Sequence, residues 1–538
     1  MSTTKTRRSV SLLAAFAVAA GALAMPAAAS QAAPTFGLAA TTERAPSLVD
    51  LDTAKTGSIT IHKLVKQDDN GTKEGNGLLD PSATGKPLAG ATFTVEKLTS
   101  VDLTKQEGWE KLANYRKGKG DEKISANAAA IAAPVSMTTG DDGLATFNNL
   151  ALGAYIVTET QTPAGYTGSR PFIITVPMTH PTKLNNWVYD VHAYPKNAKV
   201  NVEKEVDDAQ TPAVGSAISY TITADVPDAP VVDYYNVVDQ YDKRVNLPEN
   251  QIMLQMVEAK DGDVPLVKGE DYTLTPAVGT DGKTNFWTAE FTEAGRKKMI
   301  AQRKSNDTKI VMSLEGTLKE KIGDEGLVEN KAILLPGAPA NNWKPGSGEV
   351  PPPDYPNSEV VSKFGKVTIT KTSSVDETKK LEGAEFQVYK CKPTSKPAKN
   401  FESVDATLDT KLTVDGKDTF VTDDQGKVTI DGLRNNDWED NEEVADPGYY
   451  CLVETKAPDG FELQSRPIAF QVLASNSTKD NKYTLETTVK DVPKNGGFNL
   501  PLTGAAGVGV LIGTGALLVA GSGAIVLANK RRKEQADA

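Results

Sequence analysis

Lysine and glutamate side chains occur at matching places in two parts of the sequence, where apolar neighbours predict burial. Glu159 and Glu454 lie within alternating stretches, and Lys63 and Lys371 end two others. A buried carboxylate is costly unless it is paired or neutral, so the simplest interpretation is an ion pair at each place. Burial also lowers the pKa of a lysine and raises that of a glutamate. A neutral amine beside a protonated acid is then able to attack the side-chain carbonyl of an asparagine or aspartate.

The second of these pairs has candidate acceptors for the attack. We predict an amide bond from Lys371 to Asp491, with Glu454 as the acid that polarises the carbonyl and relays protons. Water leaves when the acceptor is an aspartate, and ammonia leaves when it is an asparagine. Asn495 is the competing acceptor.

Alignment of the two repeats places no acceptor beside the first pair. When Pro-Lys-Asn at 195–197 is aligned with Pro-Lys-Asn at 493–495, Ala193 stands opposite Asp491. Alanine has no side-chain carbonyl. We therefore expect only an ion pair between Lys63 and Glu159.

An internal repeat indicates the elements that position these residues. Five segments recur in the same order, and each is a short alternating strand that ends in turn residues. The same order in both parts predicts two copies of one β-sandwich. The matched segments are 57–63 with 365–371, 87–95 with 380–388, 142–150 with 425–433, 155–166 with 450–461, and 170–176 with 466–472.

The rest of the folded sequence also favours strands. Segment 200–335 alternates without matching the repeat and is predicted to form a third, related sandwich. A stretch rich in Pro, Gly and Asn follows it and is typical of a semi-stiff linker. We expect an all-β chain with domains over 33–197, 198–335 and 361–495 and a linker over 336–360.

Both ends of the sequence carry processing signals. Basic residues, an apolar stretch and small residues make 1–32 a secretory signal peptide, with cleavage after Ala29 or Ala32. The other end, 496–538, has three parts in order. They are the sorting motif Leu500, Pro501, Leu502, Thr503 and Gly504, an apolar run over 505–528 that is long enough to span a membrane, and a basic cluster over 530–533.

Composition excludes several classes of function. A net charge of -11 disfavours nucleic acid as a partner. Three histidines and two cysteines leave little for a metal site or a Cys/His pair, and we expect neither an enzyme nor a cofactor. In a secreted protein the two cysteines, Cys391 and Cys451, predict one disulfide.

Three sets of residues resemble known families. The C-terminal signal is similar to the cell-wall sorting signal of Gram-positive surface proteins. Trp187, Val191 and 194–197 resemble the pilin motif of sortase-assembled pili, with Ala193 in place of a valine. The five repeated segments resemble the collagen-adhesin B-type immunoglobulin-like module, whose members form internal isopeptide bonds without an enzyme. The chain is thus identified as similar to actinobacterial major pilins with three tandem Ig-like domains.

This resemblance implies a covalent polymer. A pilus-specific (class C) sortase would cut between Thr503 and Gly504 and join Thr503 to Lys196 of another copy. Lys494 lacks the accompanying Trp and Tyr and is not expected to serve. The implied partners are the pilus sortase, other copies of the chain, a tip adhesin, and a housekeeping sortase with peptidoglycan at the base. A host or bacterial surface receptor is a further candidate, and the expected location is a fimbrium anchored to the cell wall.

The middle segment resembles the bonded middle domains of pilins. Lys204, Asp239 and Asn330 follow in the order lysine, acid, asparagine, which implies a bond from Lys204 to Asn330 with Asp239 as acid. Glu290 is a second candidate acid. The alternative is that these are solvated surface residues.

Two other functions remain open from the sequence. A monomeric wall-anchored adhesin that binds a host ligand would share the sorting signal but would not need Lys196. A base or minor pilin would also share the sorting signal, and a base subunit is the harder of these to separate from a shaft subunit.

Overall fold

A computed structural model describes residues 51–67, 75–83, 85–117, 134–183, 186–319, 321–339 and 343–494. The predicted signal peptide, the sorting motif with its apolar run, and Asn495 lie outside these residues. Strands dominate the described part, so the all-β prediction is confirmed. Three large hydrophobic cores follow one another along the chain, one for each predicted sandwich. No helix in the described ranges is long and apolar enough to cross a membrane.

The first sandwich packs a three-stranded sheet, β11-β1-β5, against a four-stranded sheet, β4-β3-β6-β8. Alternating burial along β1 shows why its sequence forms a half-buried strand. Two small sheets, β2-β12-β7 and β10-β9, extend it. Helix α1 (Gln106–Lys117) packs on a small separate core. The strands are β1 Gly57–His62, β2 Leu64–Val65, β3 Thr92–Lys97, β4 Val135–Thr138, β5 Leu144–Leu150, β6 Gly153–Gln161, β7 Tyr166–Thr167, β8 Phe172–Val176, β9 Met178–Thr179, β10 Trp187–Val188, β11 Asp190–Ala193 and β12 Lys196–Lys199.

The middle sandwich encloses the largest core between two antiparallel sheets. One sheet has the order β13-β14-β21-β17-β18, with β16 also on β21, and the other begins β19-β20-β15-β22. Helix α2 (Glu293–Gln302) starts at Thr292, whose hydroxyl accepts a hydrogen bond from the Gly295 N–H. A 3₁₀ turn spans Glu249–Gln251. The strands are β13 Val202–Asp207, β14 Ala217–Asp225, β15 Asn236–Asp242, β16 Val245–Asn246, β17 Ile252–Ala259, β18 Gly262–Pro265, β19 Tyr272–Val278, β20 Thr284–Phe291, β21 Lys309–Leu318 and β22 Leu327–Leu335.

The last sandwich faces β23, β28 and β33 toward a sheet of order β25-β32-β31-β24-β26, with β27 also on β24. A short hairpin, β29-β30, extends from it. The strands are β23 Asn357–Ser373, β24 Glu385–Pro393, β25 Glu402–Ser403, β26 Ala406–Lys411, β27 Phe420–Val421, β28 Lys427–Arg434, β29 Trp438–Glu439, β30 Glu442–Glu443, β31 Tyr449–Lys456, β32 Ile468–Phe470 and β33 Thr484–Asp491.

One long strand, β23, belongs to both the middle and the last sandwich. Residues 357–363 pair with β22, and the following residues pair with β28 and β33. The register shifts at Gly365, where a Cβ would lie 2.4 Å from Ser477 Oγ, so the crossing point requires glycine. Because the strand is continuous, the junction between these two sandwiches contains no flexible connector.

The segment before β23, predicted as a linker, packs against the middle sandwich. Trp343 and Tyr355 are buried together with Phe286 and Leu335 on the outer face of the second middle sheet. The Trp343 indole N–H donates to the Glu349 carbonyl at 2.7 Å. This packing holds the described part of the segment against the middle domain, and Ala164 of the first sandwich packs on the same cluster.

Candidate functional site

The last sandwich brings the predicted lysine, acid and acceptor together. Lys371 lies on β23, Glu454 on β31, and Asp491 ends β33. Lys371 Nζ pairs with Glu454 Oε1 at 2.7 Å and makes a closer contact with Asp491 Oδ1, and all three side chains are fully buried. The ammonium also lies 5.3 Å from the centre of the Phe386 ring. Asp491 is therefore the described candidate acceptor, while Asn495 lies outside the described residues.

The environment of Glu454 favours its protonated form. Burial raises the pKa of this carboxyl group above its ordinary value, against the opposing effects of Lys371 and the Gln464 N–H, and the neighbouring Asp491 raises it a little further. The Gln464 N–H donates to Glu454 Oε2 at 2.8 Å and fixes its orientation. A protonated acid beside an amine is the arrangement that acyl transfer to the amine requires.

The first sandwich places a candidate acceptor beside its lysine, so the expectation that no such side chain was available was wrong. Asn197 is fully buried, and its Oδ1 accepts a hydrogen bond from Lys63 Nζ. Its Nδ2 donates to Glu159 Oε1 at 2.6 Å, and Lys63 Nζ pairs with Glu159 Oε2 at 2.8 Å. Lysine, acid and carboxamide therefore meet in one buried site.

Strand register shows that Asn197, and not Ala193, is the counterpart of Asp491. Asn197 lies opposite Val65, the second residue after the buried lysine of the first domain. Asp491 lies opposite Ser373, again the second residue after the buried lysine. Alignment on the shared Pro-Lys-Asn letters had displaced the final strand of one domain by four residues.

Burial of the first site changes the pKa of its lysine. Burial lowers the pKa of Lys63 to about 8, despite the opposing effect of Glu159. The carboxylate of Glu159 accepts two further hydrogen bonds from Ser169, at 2.7 Å from the N–H and 2.8 Å from the hydroxyl. A substantial fraction of the amine is thus neutral at mildly alkaline pH, which makes it nucleophilic.

The middle sandwich places Lys204, Asp239 and Asn330 on β13, β15 and β22. Lys204 Nζ pairs with Asp239 Oδ1 at 2.6 Å, with both side chains fully buried. Burial lowers the pKa of Lys204 and raises that of Asp239. Asn330 is also buried, and neither polar atom of its side chain makes a hydrogen bond of standard geometry with the described residues. The Asn330 amide nevertheless interacts with Asp239 and opposes the rise in its pKa, so the acid and the carboxamide lie side by side in the buried site.

Glu290, the second candidate acid of the middle domain, lies elsewhere. It is half-buried on β20 and accepts a hydrogen bond from the Thr275 hydroxyl. The ion pair of Lys204 is with Asp239. The geometry therefore favours Asp239 as the acid.

The residues of the predicted pilin motif lie on the edge of the first sandwich. Lys196 is half-buried on β12 and lies opposite Leu64. The preceding Tyr194 stacks on His62 with 4.5 Å between ring centres, and its hydroxyl accepts from the Asp80 N–H at 2.7 Å. Stacking and hydrogen bonding thus fix the backbone just before the lysine.

Two more side chains of this region hold the motif strand in place. His62 Nε2 and His192 Nδ1 are 2.9 Å apart, which joins β1 to β11. Trp187, at the start of the motif, packs near Trp109 of α1 with ring centres 5.9 Å apart. These contacts connect the whole motif to the body of the first sandwich.

Comparisons with known proteins agree with this geometry. The family profile "Gram-positive pilin subunit D1, N-terminal domain" matches residues 54–198, and a "prealbumin-like fold domain" profile matches residues 365–488. The chain is 40% identical to fimbrial subunit type 1 of Actinomyces viscosus, over 99% of both chains. The chain belongs to the Gram-positive pilins. Members of this family are structural subunits, so the pilin is not an enzyme and its homologues place it in a surface fimbrium.

Solved structures show the same architecture as the pilin. The fimbrial protein FimP from Actinomyces oris is 35% identical with a TM-score of 0.51, over 82% of the pilin and 99% of FimP. The major pilin SpaD from Corynebacterium diphtheriae is 29% identical with a TM-score of 0.58, over 82% and 99% of the respective chains. The prediction of tandem Ig-like sandwiches is thus confirmed.

The predicted disulfide is also confirmed. Cys391 and Cys451 are bonded between β24 and β31, with 5.8 Å between their Cα atoms. These antiparallel strands also carry Glu454. The crosslink restricts the unfolded chain and stabilises the sheet of the pilin that holds the acid, typically by about 2–4 kcal/mol.

Sequence reasoning missed three contributors to these sites: Asn197 as an acceptor, Ser169 on the acid, and Gln464 on the acid and the acceptor. Asn197 was within reach of the sequence, because counting the register from the two lysines aligns it with Asp491. The other two residues lie in loops after the acid strand. No period of the sequence predicts where such loop residues point.

Proposed function

We propose that the pilin is the shaft subunit of a cell-wall-anchored fimbrium. A pilus sortase joins the Thr503 carbonyl of one copy to the Lys196 amine of the next. A housekeeping sortase attaches the completed fibre to peptidoglycan, and a tip adhesin is carried at its far end. The observation that carries the proposal is the placement of the motif lysine beside a buried acceptor.

Alternation along β12 supports the role of Lys196. Successive residues of a strand point to opposite faces, and Asn197 points into the buried site. Lys196 therefore faces away from that site, toward the half-exposed surface. A cleft of about 430 Å³ opens beside the residues that precede Lys196 and is lined in part by Arg170, Tyr194 and Pro195.

The three buried sites support a second part of the proposal, namely internal isopeptide bonds. They join Lys63 to Asn197, Lys204 to Asn330 and Lys371 to Asp491. The last bond links two parallel neighbouring strands, β23 and β33. Pulling force along a thin fibre would then pass through covalent bonds. Non-covalent domains, stable by only about 5–15 kcal/mol, would resist such force less well.

Expression in a host with its pilus sortase tests the polymer. Lys196→Ala should abolish the ladder of high-mass bands that survives hot detergent, while monomer is still secreted. Lys196→Arg keeps the positive charge but is a poor nucleophile, and it should behave in the same way. Lys494→Ala serves as the matched control and should leave the ladder intact. A normal ladder in Lys196→Ala would contradict the proposal and would point to a different amine.

Intact mass of the ectodomain tests the internal bonds. Each asparagine acceptor should remove about 17 Da as ammonia and the aspartate about 18 Da as water, by the chemistry of amide formation. Glu454→Ala should prevent only the loss of water, so the mass should be about 18 Da higher than that of the fully bonded chain, apart from the substitution itself. An intact mass equal to the sequence mass, apart from the disulfide, would rule out all three bonds.

A further inference from the structure

Gln464 touches both the acid and the acceptor of the last site. Its backbone N–H donates to Glu454 Oε2 at 2.8 Å. Its side-chain Nε2 donates to Asp491 Oδ1 at 3.0 Å and to the Lys490 carbonyl at 2.6 Å. One hydrogen of the Gln464 amide therefore points to Asp491 Oδ1, and the other points to the Lys490 backbone carbonyl.

The neighbouring carbonyl determines which way the Gln464 amide points. If the amide were reversed, its oxygen would face the Lys490 carbonyl oxygen at 2.6 Å, and two acceptors would repel each other. The Nε2 group must therefore face both oxygens. The donor toward Asp491 Oδ1 is held in place before any reaction begins, which is what transition-state stabilisation by a hydrogen bond requires.

The two asparagine sites differ from the last site in this respect. Asn197 Oδ1 accepts from Lys63, and no other described side chain donates to it at a standard hydrogen-bond distance. Asn330 Oδ1 has no partner of standard geometry among the described residues. The extra donor occurs at the site whose acceptor is a carboxyl group, in which the leaving group is water.

We propose that Gln464 is a catalytic residue of the Lys371–Asp491 bond, acting as a one-donor oxyanion hole. This inference rests on the proposed internal bond in the last domain. Neutral Lys371 Nζ attacks Cγ of the neutral Asp491 carboxyl group, and negative charge develops on Oδ1, where Gln464 donates. Glu454 moves a proton from Nζ to Oδ2, the C–Oδ2 bond breaks, and one water leaves as the amide forms.

The donor favours the transition state over the ground state. In the neutral carboxyl group Oδ1 carries only a partial negative charge, whereas in the tetrahedral state a full negative charge is concentrated on it. Asp491 Oδ2 is buried and has no hydrogen-bond partner in the described part of the chain, so it is the oxygen left to depart. A hydrogen bond that strengthens as charge concentrates lowers the barrier to the reaction.

The test compares Gln464→Met with Gln471→Met in the full ectodomain. Gln464→Met removes the donor and keeps the approximate volume. Gln471 donates to the Pro447 and Gly448 carbonyls of the same domain, so Gln471→Met loses a similar pair of hydrogen bonds away from the site. After a pulse of cell-free synthesis, mass spectrometry follows the fraction of chains that have lost about 18 Da from the last domain.

The expected result is a rate of bond formation about 10-fold or more slower in Gln464→Met, with the rate in Gln471→Met unchanged. Gln464→Glu, which replaces the donor with an acceptor, should slow the reaction at least as much. Thermal unfolding of the unreacted fraction checks that the variants fold. In folded variants, an unchanged rate in Gln464→Met overturns the catalytic role and leaves the internal bond standing. If the wild-type chain never loses water, both the bond and the role are overturned.

Discussion

The buried sites of the first and last domains share one strand register but differ in how their charges are satisfied. In the first, Glu159 accepts hydrogen bonds from Ser169 and Asn197 as well as from its lysine, and the acceptor is neutral. In the last, Glu454 and Asp491 share one ammonium group. With all groups ionised the first site is neutral and the last carries one excess negative charge. Burial and this excess negative charge raise the pKa of Glu454, so the last site binds a proton more readily than the first.

The shared register also shows which lysine of the last domain corresponds to Lys196. Lys196 directly precedes Asn197, and Lys490 directly precedes Asp491, so Lys490 is the structural counterpart of the motif lysine. Lys490 Nζ forms an ion pair with Glu377. The Pro-Lys-Asn letters at 493–495 therefore do not mark the equivalent position, which shows that a short identical motif can mislead where strand register does not.

Removal of the buried lysine should separate the two sites most strongly. Lys371→Met leaves two buried carboxyl groups without a cation, and we expect a loss of about 3–5 kcal/mol of unfolding free energy beyond the effect of the missing bond. Lys63→Met leaves Glu159 with its hydrogen bonds from Ser169 and should cost clearly less. Thermal unfolding, with each transition assigned to its domain by hydrogen exchange, measures the difference. Equal losses of unfolding free energy in the two variants would contradict the proposed difference in charge between the sites.

Acceptor substitutions test the register itself. Asn197→Ala should abolish the loss of about 17 Da from the first domain, because the only described carboxamide at Lys63 is then gone. Ala193→Ser, at the position that the letter alignment indicated, should leave the mass loss unchanged. A bond that persists in Asn197→Ala would place the acceptor elsewhere on the final strand.

The sequence predicted the fold and most of the site residues for a physical reason. Period-two alternation and turn residues are local signals, and they predicted the repeated strands. The disulfide was predicted because a secreted chain with two cysteines is expected to pair them, and the residues of the middle site were predicted from the resemblance to pilin middle domains. Asn197 was missed because the assignment of a partner depends on long-range strand register. Gln464 was missed because it reaches the site from a loop, whose conformation is set by tertiary contacts that no local pattern contains.

The pH dependence of bond formation tests whether the lowered pKa of Lys63 controls the reaction in the first site. Attack requires a neutral amine, and burial lowers the pKa of Lys63 to about 8. The rate of ammonia loss from this domain should fall about tenfold for each pH unit below that value and level off above it. Time courses of intact mass at several pH values measure the profile. A rate that is independent of pH below about 8 would show that amine deprotonation does not limit the reaction.

The lowered pKa of Lys63 should also make the unfolding free energy of the first domain depend on pH. In Asn197→Ala the amine stays free, and its folded pKa of about 8 lies below the ordinary value of 10.5. Between these values the unfolded chain binds more protons than the folded domain. The unfolding free energy of this variant should therefore rise with pH over that interval. Denaturant titrations of the variant measure the slope, and Lys63→Met in the same background should flatten it.

The smallest expected effect concerns the histidine pair that joins β1 to β11. Burial lowers the pKa of both His62 and His192 from 6.5, and His192 lowers that of His62 further, whereas Asp142 and Asp190 act in the opposite direction on His62 and His192 respectively. The folded domain therefore binds fewer protons than the unfolded chain just below pH 6.5, and its stability should fall as the pH drops through that region. In the Asn197→Ala background, thermal unfolding at about pH 7.5 and about pH 5 should show this loss, and His62→Gln should reduce it. Amide exchange along β11 should quicken at the lower pH, because two charged rings cannot keep the hydrogen bond between their nitrogens. The same pH dependence in the wild-type pair and in His62→Gln would show that the histidines do not couple the motif strand to pH.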